Sequence, residues 1–162
     1  MVEIKEESKS STMVKWQEEF RKIKDIGRDY AVHSEIDHRL FPVLSIIESG
    51  NGKYIIKDKD TGQYPFNPLG IKGIGLNGYI TMNTYEYAPG FKFSSEVLFV
   101  KYNTYEECFD TFLDLVKNLY PNAWVKRNST IAMLSEMMKT RDRWSSSPDY
   151  LRKAKVFIKK VL

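Results

Sequence analysis

Apolar residues recur at helical spacing near both ends of the chain and crowd into strand-like runs in its middle. Between Val14 and Tyr30, the residues Trp16, Phe20, Ile23 and Tyr30 fall on one face, which predicts an amphipathic helix. A second set, Ile36, Leu40, Val43, Leu44 and Ile47, predicts a helix starting near Ser34 or Asp37, either of which can cap it. Pro42 should kink that helix or delay its start, and Glu48-Ser49-Gly50 should end it. Residues 51–78 hold six glycines and two prolines, the chemistry of loops and turns. From Tyr79 to Tyr102, β-branched and aromatic residues dominate, broken at Ala88-Pro89-Gly90, which predicts a hairpin or small sheet.

Helical periodicity then returns. Thr104-Tyr-Glu-Glu107 reads as a capping box opening a helix that buries Phe109, Phe112, Leu113, Val116 and Tyr120. Another helix is expected over about 129–139, using Ile131, Leu134 and Met138. The last should begin at Ser147-Pro148, an N-cap followed by proline at the first helical position. Its stripe is Leu151, Ala154, Phe157, Ile158 and Val161, with Lys159 and Lys160 at the end where the helix dipole favours cations. The charged segment 1–12 reads as a disordered tail without the apolar core of a secretory signal. Residues 13–162 form one domain: an α+β, mainly helical fold of two lobes, with a small β-lobe at about 53–103 inserted after the second helix.

Composition narrows the chemistry only a little. A length of 162 residues and 42% hydrophobic content suit one globular, monomeric domain. The net charge of +4 favours polyanionic surroundings, whether nucleic acid, anionic membrane surface or wall polymer. Nothing in the spacing resembles a base-reading motif, so nucleic acid is not the expected partner. No run is long enough to insert in a membrane. The single cysteine, Cys108, lies in an apolar helical pattern and reads as a small buried hydrophobe. His33 and His38 do not complete a metal site with it, and neither a metal nor a cofactor is expected.

Glu48 is the residue that invites a chemical reading. It ends the apolar run Val43-Leu44-Ser45-Ile46-Ile47, where a carboxyl meets a dry environment and its pKa rises toward that of a general acid at neutral pH. By position alone, a solvated glutamate on the last turn of a buried helix is the favoured reading.

The segment Ile47-Glu-Ser-Gly-Asn-Gly-Lys53 resembles the helix-end motif L-E-S-G-W-G-K/R of glycoside hydrolase family 73, the glucosaminidases of autolysins and flagellar enzymes. Further stretches follow in the same order. Asn67-Pro-Leu-Gly-Ile-Lys-Gly73 resembles N-L-F-G-I-K-G, and Thr84-Tyr-Glu-Tyr87 resembles T-x-E-Y. Phe99-Val-Lys-Tyr102 with the following Thr104–Asp110 segment resembles F-R-x-Y-x-S-x-E-E-S-x-x-D, and Trp144-Ser-Ser-Ser-Pro-Asp-Tyr150 resembles Y-A-T-D-P-N-Y. The likeness spans residues 16–162 and implies a lysozyme-like fold.

It also implies a peptidoglycan hydrolase cleaving the β-1,4 bond between N-acetylglucosamine and N-acetylmuramic acid, with muramidase specificity left open. Glu48 would be the general acid and Glu86 the second carboxylate of the β-lobe, with Glu96, Asp58 and Asp60 as fallbacks. Asn51, Asn67, Lys72, Tyr87 and Trp144 would contact glycan strands. Such an enzyme acts at the bacterial cell wall; with no signal in the chain, it would be a phage lysin or other virion-associated or lysis-released protein, or one exported by a non-standard route. Three positions depart from the family pattern. Asn51 replaces a Trp, Leu44 a Gln, and Trp144 a Tyr whose phenol is thereby lost. These departures keep alive the alternative of a catalytically impaired wall-binding module of a virion or envelope machine.

Overall fold

The computed structural model describes residues 9–88, 90–140, 143–145 and 147–161, with the side chains of 9–12, 85–88 and 92 outside that description. Six helices and one hairpin follow in the order α1 (Lys9–Ser34), α2 (Leu40–Glu48), β1 (Tyr79–Ala88), β2 (Phe91–Val100), α3 (Tyr105–Leu119), α4 (Pro121–Val125), α5 (Thr130–Lys139) and α6 (Tyr150–Phe157). The hairpin is inserted after the second helix, as the residue pattern predicts.

α2 is the axis of the core. Every residue from Leu40 to Ile46 is buried, so this helix is wrapped on all sides and not merely on one face. Phe41 stacks on Phe109 of α3 with ring centroids 3.9 Å apart, and the edges of Tyr30 and Phe112 close the cluster. α1 and α6 pack against α2, while α4 and α5 pair beyond α3. Pro42 does not kink α2. It lies in the first turn, where a missing N–H breaks no helical bond.

The entry to α2 is set by Asp37. Its buried carboxylate accepts from Arg39 Nε at 3.0 Å, from Arg39 Nη2 at 3.1 Å and from the Thr130 backbone N–H at 3.1 Å. Burial works to raise its pKa, but these hydrogen bonds prevail and hold it below the usual carboxylate value. Asp37 thus fastens the start of α2 to the start of α5, 93 positions away.

Several boundaries differ from the sequence reading. α1 begins at Lys9 and reaches Ser34, so residues 9–12 are helical and not part of a tail; residues 1–8 lie outside the described residues. α2 starts at Leu40, later than Ser34 or Asp37, because the Asp37 side chain organises a turn there. The short helix α4 was not foreseen; Pro121 at its first position starts it directly after α3. In α3 the Thr104 hydroxyl accepts from Glu107 N–H as expected, but Glu107 returns to Asn103 N–H, one residue before the cap. α6 begins at Tyr150, after a turn in which Tyr150 N–H donates to Ser147 O, so Ser147 and Pro148 precede the helix. Lys159 and Lys160 follow its end at Phe157.

The hairpin pairs β1 with β2 from Tyr79↔Val100 to Ala88↔Phe91, leaving two residues between the strands. Its base is stitched to the preceding loop by Val100 N–H on Ile71 O and Gly73 N–H on Leu98 O.

Candidate active site

Glu48 is the last residue of α2, and the chain leaves the helix immediately after it. Gly50, Asn51 and Gly52 take φ values of 59°, 62° and 85°, three left-handed residues in a row. Only glycine, and asparagine less readily, adopts that region without strain. Gly52 has a second reason: a Cβ there would lie 2.6 Å from the Trp16 ring. Ser49 locks the turn, its Oγ donating to Ile46 O and accepting from Gly52 N–H. Ser-Gly-Asn-Gly therefore turns the chain away at once and leaves the Glu48 side chain half-buried at the helix end.

A second loop closes over the carboxyl. A Cβ on Gly70 would lie 3.1 Å from Glu48 Oε2, so the glycine lets backbone approach the acid. Asn67 holds this loop: its Nδ2 donates to Ile71 O at 2.8 Å and Val100 O at 3.0 Å, and its Oδ1 accepts from Ile71 N–H at 3.0 Å. Asn67 was expected to contact substrate. Its amide is instead occupied in bracing the loop against the hairpin, and the residue is buried.

Tyr150, at the start of α6, is the residue that sequence reasoning missed. Its hydroxyl accepts from Trp144 Nε1 at 2.9 Å and donates to Glu48 Oε1 at 3.4 Å. Trp144 in turn rests edge-on against Phe112 of α3. Trp144 therefore acts as a donor to Tyr150, and a phenol does reach the acid, from the far end of the segment that supplied the Tyr-to-Trp departure. Tyr150 lies 102 positions from Glu48, and only the α2–α6 packing joins them.

These surroundings set the acidity of Glu48. Burial raises its pKa from 4.5 to about 7 against the lowering pull of the Tyr150 hydrogen bond and the Lys72 and Lys153 charges. Lys72 is exposed and acts on Glu48 through its charge. Burial also drives the Tyr150 phenol well above its ordinary value, helped by the Glu48 charge, so it remains a neutral donor.

The other proposed carboxylates separate clearly. Asp58 accepts from the N–H groups of Asp60, Thr61 and Thr81, and these bonds hold its pKa near 2. It is a turn-forming residue that fixes the loop to β1. Glu96 pairs with Lys59 Nζ at 2.6 Å on the exposed side of the lobe. Asp60 is exposed on the same turn. Glu86 stands opposite Phe93 in the hairpin register, while its side chain and that of Tyr87 lie outside the described residues. Asn51 is exposed on the turn after α2. Cys108 is fully buried, and burial drives its thiol far above the usual range, consistent with a packing role. Among the described residues no group of His, Cys, Asp and Glu could hold a metal ion, and no helix is long and apolar enough to cross a membrane.

Removing the Tyr150 hydroxyl takes away a bond that favours the ionised form of Glu48. Tyr150→Phe is therefore expected to move the descending limb of the pH–rate profile to higher pH. An unchanged or lowered limb would show that this hydroxyl does not act on the acid.

No family model matches the chain, and no curated protein matches it in sequence. Solved structures do match. The catalytic domain of the autolysin Auto from Listeria monocytogenes superposes with a TM-score of 0.66 at 18% identity, covering 90% of this chain and 84% of that one. A glycoside hydrolase domain of FlgJ from Salmonella typhimurium gives 0.66 at 20% identity, covering 88% and 95%. A mutant peptidoglycan hydrolase from Sphingomonas sp. A1 gives 0.60 at 22% identity, covering 92% and 89%. The chain has a family 73-like fold. In this lysozyme-like α+β frame, Glu48 ends the buried helix and the hairpin forms the smaller lobe.

Proposed function

We propose that this chain is a peptidoglycan hydrolase that cleaves the β-1,4 bond between N-acetylglucosamine and N-acetylmuramic acid, with Glu48 as general acid. The observation that carries the reading is a half-buried carboxyl at a helix end whose pKa of about 7 leaves it half protonated at neutral pH. The shared fold of the glycoside hydrolase domains supports it.

In the reaction, the Glu48 carboxyl gives its proton to the glycosidic oxygen as the bond from that oxygen to the anomeric carbon breaks. Positive charge grows on the sugar ring. Water then adds to the anomeric carbon and yields a proton to a base, either the Glu48 carboxylate or a second group. Glu86 is the proposed second carboxylate; the substrate's own 2-acetamido oxygen is the other route to stabilising the anomeric centre, an established exception to the two-carboxylate scheme. Tyr150 is a positioning residue that fixes the Glu48 carboxyl through one oxygen and leaves the other toward Gly70. The protein would act at the bacterial cell wall, where its net charge of +4 favours anionic wall polymers.

A zymogram on purified walls tests the reading, with wild type beside Glu48→Gln. Clearing by the wild type alone is the expected result, and no clearing by the wild type would overturn it. Mass spectrometry of the soluble products should show reducing ends bearing N-acetylglucosamine. Ends bearing muramic acid would make the enzyme a muramidase.

A further inference from the structure

Positive charge is not spread evenly along the chain. Residues 139–162 hold eight Lys or Arg and two Asp, a net of +6, while residues 1–138 hold 17 and 19, a net of −2. The fold then sorts these cations onto one surface. α6 turns Tyr150 and Ala154 inward against the core, and Val161 follows them. Every exposed position from 151 to 160 except Val156 is basic: Arg152, Lys153, Lys155, Lys159 and Lys160. No acidic residue follows Asp149 in the sequence.

Local electrostatics do not account for this face. Arg152 and Lys153 sit in the first turn of α6, where the helix dipole disfavours cations, and that turn holds no acidic residue. Arg152 and Lys155 are like charges three positions apart on the helix, a spacing at which they repel. Arg152 reaches one partner, Asp149, at 3.4 Å. Lys160 rests over the Phe157 ring at 5.1 Å. Among the described residues no carboxylate pairs with Lys155, Lys159 or Lys160. An external anion would relieve the repulsion that these charges hold within the fold.

The layout of the face selects the anion. Its five cations are strung over roughly 12 Å, at the helical rise of 1.5 Å per residue, on the outer side of a helix, so no single small anion reaches them all. A chain of repeated charges does. Four of the five are Lys, point charges that suit phosphate oxygens and lack the planar fork by which Arg clasps a carboxylate. Val156 is the one exposed apolar side chain here, too little to enter a lipid surface, and no exposed ring is present on which a nucleobase would stack.

Resting on the hydrolase reading, we infer that the basic face from Arg152 to Lys160 is a docking surface for a phosphodiester polymer attached to the cell wall, which holds the enzyme beside its substrate. The face takes no part in bond cleavage. Lys153 links it to the acid, because its charge is felt at Glu48, so a polymer docked on α6 lies along the rim next to the site.

Isothermal titration of the wild type with poly(glycerol phosphate) in low salt tests this, beside two variants of equal net charge. Lys155→Gln combined with Lys159→Gln and Lys160→Gln is expected to bind about tenfold more weakly, the combined effect of three exposed ion pairs. Arg21→Gln combined with Lys22→Gln and Arg28→Gln removes three cations from α1 and should stay within about twofold of the wild type. All six side chains are exposed, so both variants keep the core intact. Wild-type affinity should fall steeply as salt rises. Walls stripped of phosphodiester polymers by hydrofluoric acid should retain less of the wild type than untreated walls. Equal losses in the two variants would mean that net charge alone acts, and would overturn the docking surface. So would an absence of binding to the polymer, or duplex DNA bound more tightly at equal phosphate concentration through the same three lysines. A chain that binds the polymer through α6 but clears no wall would sink the hydrolase reading and leave the docking surface standing. A chain that clears walls without binding the polymer would do the reverse.

Discussion

Glu48→Gln is expected to reduce glycan hydrolysis by about 10²–10⁴-fold, the range for losing a general acid, and at the same time to make the protein more stable at pH 8. The second effect follows from linkage. The folded chain raises the Glu48 pKa from 4.5 to about 7, so between these values the folded state binds more protons than the unfolded state. Stability then falls as pH rises through that window. Below pH 4.5 both states are protonated and the penalty vanishes; above pH 7 it is fully present. The whole shift corresponds to about 3 kcal/mol, and solvent reaching the half-buried carboxyl reduces this to about 1–2 kcal/mol. Glutamine carries no charge to dehydrate. Urea melts of both proteins at pH 4.5 and pH 8 check this: the variant's advantage should appear only at the higher pH. Equal stability at both values would mean that the carboxyl is well hydrated and not tuned for proton donation. The same pKa sets the activity profile, with kcat/KM falling tenfold per unit well above pH 7 as the acid loses its proton.

Phe41→Ala is expected to destabilise the fold by about 3–5 kcal/mol, the largest effect of any single truncation considered. Phe41 is 1% exposed and makes ring contacts with Tyr30, Phe109 and Phe112. It joins the helix carrying Glu48 to both α1 and α3. Folded domains hold about 5–15 kcal/mol in all, so this variant should lose from about a fifth of its stability to all of it. A fall in urea midpoint at unchanged slope measures it. A loss under about 1 kcal/mol would show that the cavity collapses and that the aromatic cluster does not hold α2 in place.

The first of these effects was legible in the sequence and the second only in part. An apolar run that ends in Glu-Ser-Gly-Asn-Gly states, by its hydrophobicity and its turn residues, that a buried helix stops with a carboxyl on its last turn. Phe41 carries no such mark. It adjoins Pro42 outside the apolar set used to place the helix, and what makes it central is its stacking on Phe109, 68 positions later.

Local patterns also fixed the hairpin and the N-cap Thr104, because periodicity and capping are short-range. They misplaced the starts of α2 and α6, where the Asp37 side chain and the turn at Ser147 compete with the helix. They assigned Asn67 to substrate, although its amide is occupied by the carbonyls of Ile71 and Val100. They made Trp144 a lost phenol, although its indole donates to a phenol that faces the acid.

By itself, then, the sequence determined that a helix would be buried along its length, that it would end at Glu48, and that a small β-lobe would follow. Tertiary packing alone decided how acidic that carboxyl is. It brought Tyr150, Gly70 and Lys72 to Glu48 from distant parts of the chain. The reason is physical: a pKa is set by the dielectric and the dipoles within a few ångströms, and most of the groups that supply them here lie far away in sequence.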